Sequence, residues 1–148
     1  MNSLLTENQS FIDRINQLTP QTQRLWGKMD VAQMMAHCQM GLKSALGDID
    51  MGKRVFLGYI FGAWAKKKMF SDAPIDRNLP TAPSFKMTTE KDFLEEKQKL
   101  IALIERFGKA GISGIADGTH AFFGKMTPEE WVILQSKHLD HHLGQFGV

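Results

Sequence analysis

Three of the five histidines in this 148-residue chain fall in the run Lys137-His138-Leu139-Asp140-His141-His142-Leu143-Gly144-Gln145-Phe146. Residues four apart on a helix share a face, with Cβ atoms roughly 5–6 Å apart. His138 and His142 can therefore aim two imidazoles at one point, as a metal ion requires. Two ligands leave a tetrahedral ion unfilled, so a third must come from elsewhere. His37 is the candidate, set mid-way through an apolar helical pattern over residues 31–42. Gln33, one turn before it, is a candidate partner to hold an imidazole tautomer. Three neutral histidines keep a position open, the layout of a catalytic site, where a bound water can ionise at about pH 7. The plainer reading of the same residues is a set of hydrogen-bonded core histidines. His141 lies roughly 60° off the stripe at helical pitch. It could replace either neighbour, or bond Asp140 or solvent. His120, beside Phe122-Phe123-Gly124, borders the pocket or lies on the surface, and Gln145 shares the face of His138 and His142.

Other chemistry is missing from the chain. It has no G-x-S-x-G, C-x-x-C or H-E-x-x-H, and no paired carboxylates in an apolar setting. Cys38 adjoins His37 but points roughly 100° away on a helix, which fits a buried, inert thiol. No general base is assigned. A formal charge of +2 and a pI near 8.7 are too mild to argue for nucleic acid. One cysteine allows no internal disulfide, the N-terminus lacks a signal-peptide pattern, and no apolar run is long enough to span a bilayer. A cytoplasmic protein is expected. With 43% hydrophobic and 23% charged residues, the composition suits one globular domain over 1–148. Nine methionines, four of them in positions 29–40, fit adaptable core packing better than soft metal ligation.

The histidines need a scaffold. A first helix is predicted over 3–18, with Leu4, Phe11, Ile12, Ile15 and Leu18 at helical spacing. Ser3 caps it and Thr19-Pro20 stops it. Asp30 caps a second helix over 31–46, which Gly47-Asp48 ends. Val55, Phe56, Leu57, Tyr59, Ile60, Phe61 and Trp64, followed by Lys66-Lys67-Lys68, predict a short helix buried nearly all round. A homodimer interface is a further use for that run. A membrane surface suits it less, since no polar face forms. Residues 70–86, with Pro74, Pro80 and Pro83, form a long irregular stretch, either a lid or a surface crossover.

A third long helix is expected from Thr88 or Thr89 to Phe107, with Gly108 ending it. Phe93, Leu94, Leu100, Ile101, Leu103, Ile104 and Phe107 face inward, and Glu90, Lys91, Glu95, Glu96, Lys97 and Lys99 outward. Residues 111–118 are a glycine-rich connector. Thr127-Pro128-Glu129-Glu130 opens the last helix with a capping box, and Trp131, Leu134, His138, His142 and Gln145 share one face of it. No segment reads as a strand. The expected class is all-α: a four-helix bundle with a long crossover and one or two short extra helices. Such bundles build metal sites from inward side chains.

Val31-Ala32-Gln33-Met34-Met35-Ala36-His37, followed by His138-x-x-His141-His142-x-x-Gln145, resembles the DinB/YfiT-like superfamily. Leu25-Trp26-Gly27-Lys28-Met29 and the segment from His120 to Thr127 look like one uncharacterised branch of it, with Ala121 where a proline is common. The resemblance spans nearly the whole chain. It implies a four-helix bundle, a divalent metal (zinc or nickel) on His37, His138 and His142, and a small-molecule substrate. Thiol-dependent transferases and isomerases acting with low-molecular-weight thiols belong to that superfamily. A metal-dependent S-transferase or hydrolase is therefore expected. A non-catalytic metal-binding or stress-related bundle, or a dimeric interaction protein, is the alternative.

Overall fold

The structure, a computed structural model, describes residues 3–148. In chain order it has α1 (Asn8–Asn16), α2 (Val31–Ala45), α3 (Phe56–Met69), α4 (Phe93–Ala110), β1 (Gly118–His120), β2 (Gly124–Met126) and α5 (Pro128–Gln145). The protein is mostly helical, with one small antiparallel hairpin in which Gly118 faces Met126 and His120 faces Gly124. That hairpin corrects the expectation of a strandless chain. At three residues per strand it is too short to leave an alternating pattern.

Local chemistry fixes the two helices that carry the histidines. Asp30 accepts from the Gln33 backbone N–H while the Gln33 side chain accepts from the Asp30 N–H. Thr127 and Glu130 make the same reciprocal pair at the start of α5, with Pro128 at its first position. Each box satisfies backbone donors that a helix start leaves free.

α2 lies against α4 and α5, and α1 packs on α4 and α5. Phe11, Ile15, Met34, Met35, Leu42, Leu100, Ile104, Phe107, Leu139 and Leu143 fill the space between them and are buried. Each such side chain contributes about 1.5–3 kcal/mol on burial. Cys38 is buried too, its thiol directed at the Met34 sulfur 3.7 Å away, and burial pushes its pKa up, as an inert thiol requires.

Several element boundaries differ from the sequence reading. α1 starts at Asn8 with Glu7 before it, because the Ser3 carbonyl is taken by the Thr6 and Glu7 N–H groups in a separate turn. α4 starts later, at the Asp92 cap, which accepts from Glu95 N–H. Thr89 is not a cap; its carbonyl accepts from the Gln33 side chain. Gly108 does not stop α4. It sits inside the helix where a Cβ would come 2.6 Å from Asn8 Nδ2, so its role is to let α1 approach. Leu94 faces solvent, and Glu96 is buried, accepting from Gln39 Nε2 at 2.6 Å.

The largest departure is α3. Only Gly58 and Gly62 are buried on it, and its large apolar side chains are exposed. A Cβ at Gly58 or Gly62 would come 2.6 or 2.5 Å from the Phe122 carbonyl oxygen, so two glycines one turn apart seat this helix on the hairpin. Val55 N–H donates to Ala121 O, and Lys66 Nζ to Lys125 O. No helix among the described residues is long and apolar enough to cross a membrane.

Candidate metal centre

α2 and α5 are neighbours, and that adjacency brings residues 101 positions apart into contact. His37 Nε2 and His138 Nε2 stand 2.9 Å apart. Ring centroids are 4.8 Å apart for His37–His138, 4.8 Å for His37–His142 and 4.7 Å for His138–His142. The three rings thus form a nearly equilateral triangle, with candidate ligand nitrogens within 4.8 Å of one another. Zn–N bonds of about 2.0–2.1 Å at tetrahedral angles set nitrogens roughly 3.4 Å apart. Small side-chain adjustments reach that spacing.

The outer nitrogens decide what the inner ones can do. His37 Nδ1 is 2.9 Å from the Phe85 carbonyl oxygen, which can only accept, so Nδ1 carries the proton and Nε2 keeps its lone pair. Gln145 Nε2 donates to the Trp26 carbonyl at 2.8 Å, which leaves its Oε1 to accept from His142 Nδ1, also at 2.8 Å. Those two histidines present Nε2 lone pairs inward. At 2.9 Å, two facing lone pairs would repel, so His138 carries its proton on Nε2 and donates it to His37.

A cation between the rings needs that proton on Nδ1 instead. There the structure holds an acceptor with no partner: Gln135 Oε1 is buried and unbonded among the described residues. It and His138 Nδ1 border the same space over Gly41, where a Cβ would lie 2.2 Å from the first and 3.3 Å from the second. The donor set and this orphaned acceptor both fit a divalent ion held by three Nε2 atoms.

Electrostatics agree. Burial lowers the pKa of His37; burial and then the neighbouring imidazoles push His138 well below the ordinary range, and His142 falls to about 3. All three are neutral at pH 7 and give up no proton charge to admit a cation. His37 and His142 are buried, while His138 is partly exposed.

The remaining candidates sit around this triangle. His141 lies edge-on to His142 at 5.2 Å and to Trp26 at 5.7 Å, outside the three-ring cluster. It makes no bond to Asp140, whose carboxylate pairs with Arg14 at 2.8 Å. The Arg77 guanidinium lies 4.0 Å over the Trp26 ring and has no hydrogen bond or ion pair among the described residues. Gln33 is elsewhere, occupied by its capping box and by Thr89. The sequence reading missed the Phe85 carbonyl, which bonds His37, and Gln135, whose unbonded Oε1 faces the same space as His138 Nδ1. Gln135 could have been found, as an amide three residues before His138 in an apolar stripe. A main-chain carbonyl leaves no such trace.

His120 belongs to the hairpin. Its Nδ1 accepts from the Phe122 and Phe123 N–H groups at 3.0 and 3.2 Å, and its ring stacks between Phe123 and Trp131. Burial lowers its pKa to about 4. An unfolded histidine titrates near 6.5, so the unfolded chain takes up a proton that the folded chain refuses as pH falls from about 6.5 to 4. Stability from this group is complete above that window and is lost within it. His120→Asn keeps a backbone acceptor and removes the titration. Its unfolding free energy should depend on pH with a slope smaller by about one proton across the window. Parallel slopes for the two chains would contradict this.

The fold and the three-ring cluster define a mostly helical protein with a histidine site compatible with metal binding. Residues 3–147 match the family described as protein of unknown function (DUF1569), and the chain belongs to that family. Searches of curated proteins and of solved structures found no match.

Proposed function

We propose that this chain is a metal-dependent enzyme of the DinB/YfiT type, a single four-helix-bundle domain acting in the cytoplasm. His37, His138 and His142 would hold zinc or nickel. The observation that carries this reading is the convergence of three neutral imidazoles, two with Nδ1 already bonded outward and the third facing the unpartnered Gln135 Oε1. No carboxylate joins the cluster, so the ion would keep its full charge and favour an anionic fourth ligand. Bound there, the ion would supply Lewis acidity enough to deprotonate a thiol or bring a water's ionisation to about pH 7.

The chain's own residues supply the rest. His141 has no hydrogen-bond partner among the described residues, and burial lowers its pKa, so a neutral imidazole stands beside the cluster to receive a proton. Arg77, its guanidinium 4.0 Å over the Trp26 ring and without an ion pair among the described residues, offers that charge to an anionic group of the substrate. A low-molecular-weight thiol bearing a carboxylate fits both features. The favoured reaction is attack of its thiolate on an electrophilic carbon, forming a C–S bond as the bond to a leaving group breaks. The leaving group departs with its electron pair, and the thiol proton passes to His141.

Elemental analysis of the purified chain should find about one zinc or nickel ion per protein, as expected for a three-histidine site. The loaded protein should then conjugate a carboxylate-bearing thiol to an electrophilic reporter. Arg77→Ala should raise KM for that thiol about tenfold with kcat little changed, the loss of one charge-assisted contact. Metal uptake without turnover of any thiol or ester would reassign the site to a non-catalytic role. A chain that takes up neither metal would remove the proposal's foundation.

A further inference from the structure

α3 presents an apolar face that nothing among the described residues covers. Val55 is 41% exposed, Phe56 75%, Leu57 57%, Tyr59 67%, Ile60 56%, Phe61 52% and Trp64 67%. Side chains exposed this far forgo much of the hydrophobic stabilisation they could gain, and six on α3 with Val55 at its cap are a standing cost in water. We propose that this face of α3 is the interface of a homodimer, covered by α3 of a second copy of the chain.

Three observations select that occupant. The first is area. Aromatic side chains enclose about 150–250 Å² each, so four aromatics and three aliphatics at these exposures offer on the order of 700 Å². A standard interface buries about 800 Å² per partner, whereas the largest apolar patch on a typical monomer is roughly 300–600 Å². The α3 face therefore matches half of a stable dimer.

The second is charge. Residues 55–65 contain no ionisable group other than Tyr59. The lysines that follow are already engaged: Lys66 pairs with Glu130 at 2.8 Å, and Lys68 pairs with Asp76. An anionic bilayer would be drawn by free cations around such a helix, and here the chain has neutralised two of the nearest. The centre of the patch carries no charge of its own, with Arg54 over the Tyr59 ring at 4.5 Å and Lys67 confined to its edges. It can therefore meet its own copy across a twofold axis without repulsion there.

The third is shape. Phe56, Ile60 and Trp64, each four residues from the last, form one row along the exposed side, and Leu57 and Phe61 begin the next. Rows of side chains four residues apart are ridges, and the groove between two of them receives a ridge of a second helix. The opposite side is closed to any partner, since Gly58 and Gly62 press it onto the Phe122 carbonyl.

Sedimentation of the full chain from nanomolar to micromolar concentration tests this. Twice the chain mass is expected at micromolar protein. Ile60→Glu should raise the dimer dissociation constant about 100-fold or more, because two buried glutamates then face one another. Leu94→Glu, an exposed leucine on α4, should leave the dimer intact, and circular dichroism should show both variants folded. A monomer at every concentration would overturn the proposal. Co-sedimentation of that monomer with phosphatidylserine vesicles would assign the face to membranes instead. A dimer indifferent to Ile60→Glu would place the interface elsewhere.

Discussion

His138→Ala should abolish tight binding of zinc and nickel, and with it the thermal stabilisation that metal gives the parent chain. Each imidazole provides one of three inward nitrogens, and two histidines hold a divalent ion far more weakly than three. The effect can be sized by mass action. At a free metal concentration of about 1,000 times Kd, binding stabilises the folded state by about 4 kcal/mol. For a chain of this length that corresponds to roughly 10 °C in Tm. The parent should show that shift after chelator treatment and reloading, and His138→Ala should show none. Equal shifts in the two chains would mean that the ion sits somewhere other than among these rings.

The second large effect concerns a residue that would never touch the metal. Gln145 accepts from His142 Nδ1 and is itself fixed by donating to the Trp26 carbonyl. Gln145→Leu keeps the volume and removes both bonds, leaving the ring free to turn and its tautomer unset. Metal affinity should fall about 10–100-fold, the usual consequence of losing such a partner. Gly27→Ala should act in the same direction through the same amide. A Cβ there would come 2.4 Å from Gln145 Nε2, and Gly27 has a φ of +83°, which resists any side chain. Gln33→Leu is the discriminating control: it should weaken the start of α2 while leaving metal affinity unchanged. Titration calorimetry on the three variants reads all of this. A loss of affinity in Gln33→Leu equal to that in Gln145→Leu would show that general destabilisation, not ring orientation, governs binding.

Those two glutamines also show what can be read from a linear sequence. The i,i+4 histidines of α5 and the lone His37 of α2 carried their signal in residue type and spacing, so the cluster could be anticipated. The Thr127–Glu130 capping box and Asp30 as a cap were legible too, while the second half of the Asp30–Gln33 box was not. Gln33 was harder to place. It is one turn from His37, as a supporting amide would be, but the backbone N–H of Asp30 lies closer to it in sequence and claimed its oxygen. Gln135 had the same credentials on the other helix and no competing local partner.

The α3 helix was misread for a more general reason. Hydrophobicity reports what a side chain avoids, and it does not tell which molecule provides the shelter. Seven apolar residues close together looked like core, yet the side of α3 that the chain covers is the glycine side, Gly58 and Gly62 against the hairpin backbone. Gly108 misled in the opposite way. A glycine late in an apolar pattern resembles a stop, and here it makes room for Asn8.

Lys137 comes immediately before His138, and its ammonium donates to the Met69, Ser71 and Ala73 carbonyls at 2.8, 2.7 and 2.8 Å. An ammonium has three hydrogens, and all three are spent. The cation nearest the cluster in sequence is therefore a mooring, with nothing left to offer a visitor. It ties down the chain leaving α3, from which Arg77 reaches Trp26 a few residues later. Labour is divided between two positive charges: one anchors the strap, and the other, carried on it, lies over Trp26 with no ion pair among the described residues.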